Sequence, residues 1–269
     1  MQDSTIMKSK IQIYTSLLSL ILILSNAYLN GQSLSSETDK IIFAYGGGPN
    51  RTFINYVAQL TGKENPSICY LPTAAADNDR SIVRWYQRAA GLPLTPYVLK
   101  IFISSYSVDK TFEEVLLSMD AIIVGGGNTL NMMAIWKAQG IDTVLREAYE
   151  KGIVLAGGSA GSLCWFDNGT TDSRPKELTI VECLGFLPFS HSPHYSSEKS
   201  RRPAYHQNIL TGVLDNGYAI DNLAGIVFKN GKVDHVVQMN KKNKAYFVHN
   251  KNGKIIEDEL KAKLIKTIK

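Results

Sequence analysis

The chain has 269 residues, 44% of them hydrophobic and 20% charged, with a formal net charge of +5. That is an ordinary globular balance, long enough for one large domain or two small ones. The positive charge gathers at the end: eleven lysines face four acids from Lys229 onward, with no arginine among them, which argues for a solvated face and against a nucleic-acid partner.

The chain begins with Lys8 and Lys10, then the apolar run Ile11–Ser25, then small and polar residues. A basic start, a short apolar middle and a small-residue end predict a secretory signal peptide over roughly residues 1–35, with export as the consequence. An uncleaved N-terminal anchor is the alternative, and Met7 is a second candidate start. No later stretch reaches the ~20 apolar residues that a membrane span needs, so no stable membrane partner is expected. Three cysteines, Cys69, Cys164 and Cys183, are an odd number at irregular spacing and no disulfide framework. The absence of CxxC and HExxH leaves no metal site indicated, and no cofactor is expected.

From residue 40, short apolar runs alternate with amphipathic stretches. Strands are predicted at 41–46, 67–72, 97–102, 121–126 and 153–158. Helices are predicted at 51–60, 81–90 and 111–119, with a pair over 129–151. Buried strands alternating with helices imply an α/β fold with a mostly parallel, doubly wound sheet covered on both faces. Beyond Ala160 come a helical start (GSLCWF), a polar loop (DNGTTDSRPKE) and an apolar run (LTIVECLGFLPF). Residues 225–258 read as antiparallel strands with turns at Asn230-Gly231 and Asn252-Gly253. The last stretch, ELKAKLIKTIK, reads as a helical or frayed tail.

Three glycine-rich turns, YGGGPN (45–50), VGGGNT (124–129) and AGGSAG (156–161), fall at predicted carboxyl ends of strands, where open parallel sheets bind ligands. None has the spacing of a nucleotide cradle. GGSAG fits G-x-S-x-G, a turn that exposes a serine hydroxyl and aims the next amide at the same carbonyl. Ser159 is therefore a candidate nucleophile and Ala160 a candidate oxyanion donor, with Gly127 as the second donor. Of five histidines, His206, His235 and His249 fall in predicted helix or strand. His191 and His194 fall in FSHSPHYSS, read as a polar loop, where catalytic groups concentrate.

The ordered set VGGGNT, GGSAG, SPHY and a GYAID strand end resembles peptidase E and its relatives, the aspartyl dipeptidases and cyanophycinases. The resemblance runs over roughly Ile41–Phe247 and implies a three-layer, class I glutamine-amidotransferase-like α/β fold. It makes Ser159 the nucleophile and His194 the base, with Gly127 and Ala160 as the oxyanion hole. Asn128 and an arginine after the histidine, Arg201 or Arg202, become the expected substrate contacts, because guanidinium pairs bidentately with a carboxylate. The third member stays open among Asp221, Asn222 and Asp172. The implied activity is a cofactor-free serine exopeptidase acting on short peptides with an N-terminal Asp. Cleavage of β-Asp-Arg peptides and a binding homologue without turnover are the alternatives. A homodimer stays open.

Overall fold

The computed structural model describes residues 38–102 and 109–268. The expected leader lies outside them. From Asp39 onward the described chain forms one compact unit.

Five strands form the parallel part of an eight-stranded sheet. These are β1 (Ile41–Tyr45), β2 (Ser67–Leu71), β3 (Thr95–Val98), β4 (Ala121–Val124) and β5 (Val154–Gly158). Their order is β1-β5-β4-β2-β3. On the far side of β1 the sheet continues with β10 (Ala224–Lys229) and β11 (Lys232–Gln238), each antiparallel to its inner neighbour, then β14 (Ala262–Leu264), parallel to β11. The predicted strand at 97–102 is thus earlier and shorter, and the predicted helical tail contributes an edge strand.

Helices between these strands begin where polar side chains cap them. Asn50 caps α1 (Arg51–Leu60), Asn78 caps α2 (Asp79–Ala89), and Thr111 with Glu114 forms a capping box on α3 (Phe112–Leu117). Asn128 caps α4 (Thr129–Gln139). Each side chain accepts from an amide the first turn leaves unpaired. Gly140, in the left-handed region at φ 71°, separates α4 from α5 (Ile141–Glu150). The core lies on both faces of the sheet. Phe43, Phe53, Val57, Ile123 and Trp85 pack under α1 and α2, and Ile42, Leu71, Ile122, Trp136 and Leu145 pack under α4 and α5.

A second sheet is not apparent in the sequence. It has six strands in the order β13-β12-β9-β8-β6-β7. These are β6 (Phe166–Thr171), β7 (Thr179–Glu182), β8 (Leu187–Pro193), β9 (Gly217–Ile220), β12 (Ala245–Lys251) and β13 (Lys254–Glu259). The stretch expected as a polar loop begins as β6, and His191 lies within β8 rather than in a loop. The reason is that β6 and β8 bury polar residues. Thr170, Thr171, Ser190 and Ser192 are all 1% exposed or less, and Thr170 donates to Ser192 across the pair. A polar strand satisfied inside a sheet has no alternating pattern to read. The helical start becomes a single turn, α6 (Ala160–Leu163), and the helix of RRPAYHQNI is α7 (Arg201–Leu210).

Candidate active site

The site forms where the carboxyl ends of β1, β4 and β5 meet the ends of β8 and β9. Ser159 follows β5 and carries φ 58° and ψ −121°, outside the regions that L-residues favour. Such a residue costs about 1–3 kcal/mol and persists only where its surroundings enforce it. Here glycines enforce it. A side chain on Gly157 would overlap the Gly161 carbonyl, and one on Gly158 would overlap the Gly47 carbonyl and the Tyr45 ring. The turn is therefore built on glycine because the backbones around Ser159 touch.

His194 follows β8, and Asn222 lies two residues past β9. Pro193 pairs with Ile220, so the two strand ends present them together. His194 has φ 57° and Leu223 has φ 63°; both are turned sharply out of their strands. The His194 Nε2 lies 2.8 Å from Ser159 Oγ, and its Nδ1 lies 2.7 Å from Asn222 Oδ1. With the proton on Nδ1 donated to the Asn222 carbonyl oxygen, Nε2 is left to accept the serine hydroxyl.

Asp221 and Asp172 make other contacts. Asp221 is 2% exposed and accepts from the Ser196 and Lys244 amides, each at 2.9 Å. It clamps the segment that carries His194. Asp172 is exposed and pairs with Arg201 at 3.4 Å. The two arginines expected at the substrate are also engaged. Arg201 is buried, donates to the Thr170 carbonyl at 3.0 Å and pairs with Glu198 at 2.6 Å. Arg202 pairs with Glu257 at 3.2 Å and lies over the Tyr195 ring. Asn128 uses both ends of its amide: Oδ1 caps α4 and Nδ2 donates to the Ser173 carbonyl. The structure thus brings Ser159, His194 and Asn222 together and gives Asp221, Asp172, Asn128, Arg201 and Arg202 scaffold contacts.

Gly127 has φ 146°, and a side chain there would overlap the Ala74 carbonyl. Neither its amide nor that of Ala160 has an acceptor among the described residues. At Gly126 an added β-carbon would sit 3.0 Å from Ser159 Cβ and 3.4 Å from its Oγ. His191 is fully buried, held by Ser162 Oγ at 3.0 Å and the Tyr218 carbonyl at 2.8 Å. Burial pushes its pKa down to about 3, so it is neutral. No group of three or more His, Cys, Asp or Glu is placed to hold a metal among the described residues.

A family model, peptidase family S51, matches residues 42–236. The chain belongs to this family of serine peptidases. It is 41% identical over 232 residues to the uncharacterized peptidase YgaJ of Bacillus subtilis (strain 168), an alignment covering 84% of this chain and 99% of that one. A probable alpha-aspartyl dipeptidase of Drosophila melanogaster is 26% identical over 132 residues, 48% of this chain and 52% of that one. The crystal structure of a peptidase from an acI-B1 Actinobacterium superposes with a TM-score of 0.64 at 18% identity, over 84% of this chain and 96% of that one, which shows a shared fold.

Proposed function

We propose that this S51 peptidase is an exported exopeptidase that releases an N-terminal acidic residue, Asp above all, from short peptides. The observation that carries the reading is the hydrogen-bonded line Ser159–His194–Asn222 at 2.8 and 2.7 Å. Ser159 Oγ attacks the peptide carbonyl carbon while its proton passes to His194 Nε2. The oxyanion that forms accepts from the Gly127 and Ala160 amides, contacts worth roughly 10²–10³ in rate each. Collapse breaks the C–N bond, and His194 returns the proton to the leaving amine. Water then hydrolyses the acyl-enzyme by the same route reversed. The likeness to an alpha-aspartyl dipeptidase supports the acidic preference, and the basic leader at Lys8 and Lys10 supports export.

The test is an Asp-X dipeptide assay on the purified protein. Turnover in the wild type that falls at least a thousandfold in both Ser159→Ala and His194→Ala is the expected outcome. Turnover of β-Asp-Arg alone moves the substrate class. Turnover that survives Ser159→Ala ends the reading.

A further inference from the structure

With both arginines of α7 held in scaffold contacts, the recognition of a substrate carboxylate falls to another part of the molecule. Helix α2 carries Arg80, Arg84 and Arg88 at four-residue spacing, one stripe on one face. Like charges at that spacing repel and weaken a helix. The helix has one acid, Asp79, which faces Lys100 at 3.8 Å. Arg84 has no ion pair or hydrogen bond among the described residues. Arg88 donates from Nη1 to the Pro49 carbonyl at 2.6 Å and meets no carboxylate among them. Among the described residues, no carboxylate pairs with Arg84 or Arg88 to relieve this repulsion.

Two residues of the stripe, Arg84 and Arg88, line a cavity of about 230 Å³ with Ser81, Tyr70, Pro49 and Gly126. The Tyr70 ring stacks on the buried Trp85 at 5.2 Å, which fixes the floor. The other wall is Gly126, where an added β-carbon would sit 3.0 Å from Ser159 Cβ. Having no side chain, it puts none between the cavity and the nucleophile. The cavity has room for one acidic side chain or one terminal carboxylate with its hydration.

We propose that this cavity is the carboxylate subsite of the peptidase, with Arg84 and Arg88 as the residues that pair with the substrate anion. The proposal rests on the serine-peptidase reading above for its distance from the scissile bond, and on the arginine stripe for its chemistry. Guanidinium matches a carboxylate bidentately, and two of them on one wall select a charged group over its amide. The carboxylate comes either from the side chain of the residue released or from the C-terminus of a dipeptide.

Binding and turnover together test it. Calorimetric titration of the Ser159→Ala protein with Asp-Leu, Asn-Leu and Asp-Leu amide removes each carboxylate in turn without needing catalysis. The expected result is that adding Arg84→Gln weakens Asp-Leu at least tenfold and erases its advantage over one of the two amides. Loss against Asn-Leu assigns the side chain; loss against Asp-Leu amide assigns the terminus. Arg84→Lys should restore part of that advantage. In the active protein, Arg84→Gln should raise KM for Asp-Leu with the smaller effect on kcat. Arg84 is exposed, so its variant is expected to fold; Arg88→Gln is read only with an unchanged melting temperature. Equal weakening of all three ligands, or none, overturns the proposal. Failure of the serine-peptidase reading shows differently, as turnover retained by Ser159→Ala with the binding preference intact.

Discussion

At the residue scale, the unusual member of the site is Asn222. It contacts His194 at 2.7 Å but supplies no charge for the imidazolium that the proposed attack by Ser159 would form. Replacing an acid by an amide at this position of a triad costs up to ~10⁴ in kcat where the wrong tautomer results. Here the amide oxygen faces Nδ1, so the tautomer is right and only the charge is missing. Asn222→Asp is therefore expected to raise kcat on Asp-X dipeptides by about tenfold or more, and Asn222→Ala to lower it by a comparable factor. Steady-state kinetics near neutral pH read both. A lower kcat in Asn222→Asp would show that the site is tuned to a neutral partner. Ser159 was legible in the G-x-S-x-G turn; the residues alone left His191 and His194 both open, and the family resemblance pointed to His194, which the structure places beside Ser159. The choice between Asp221 and Asn222 was not legible, because adjacent residues leaving a strand face opposite ways and a shift of one exchanges them.

At the element scale, what was legible followed hydrophobic pattern. The parallel strands and α1, α2, α4 and α5 lie close to their predicted positions because apolar runs and caps mark them. β6 and β8 did not follow, because Thr170, Thr171, Ser190 and Ser192 are polar and buried. The β8 end matters most, since it places His194, and Asp221 is what holds it. Both Asp221 oxygens accept backbone amides, from Ser196 on the His194 side and from Lys244 before β12. Removing them takes the acceptors from two part-buried hydrogen bonds, at up to about 1–3 kcal/mol for each group that water does not reach. Asp221→Ala should lower the melting temperature by several degrees and reduce kcat, because the segment after His194 loses its anchor. Asp221→Asn, which keeps one acceptor, should fall between. A variant that melts with the wild type while losing activity would assign Asp221 to the chemistry instead of the scaffold.

At the scale of the whole molecule, two sheets meet at the site, and the sequence showed one. Strands expected to close a single sheet divide: β10 and β11 extend the first, β12 and β13 the second. Sequence pattern reports which face of a strand is buried, not which neighbour it pairs with. His191 sits at the junction, stacked on Phe166 at 4.4 Å and bonded to Ser162 of α6 and to Tyr218 of β9. That position couples folding to pH. Burial drives its pKa to about 3 from an ordinary 6.5. As pH falls, the unfolded chain takes up this proton first, so stability is full above about 6.5 and declines toward about 3, by up to ~1.4 kcal/mol per pH unit. Glu257 acts in a different window. Burial works against it, but hydrogen bonds with Tyr195 and His206 and the charge of Arg202 hold its carboxyl below the usual 4.5. Its contribution is present above that value and lost below it. Urea unfolding between about pH 5 and 7 therefore isolates the histidine. The wild type should lose stability steadily across that range. His191→Gln should start lower at pH 7, because its packing on Phe166 is poorer, and then decline with a shallower slope. Parallel slopes in the two proteins would mean that the junction of the sheets does not hold His191 neutral.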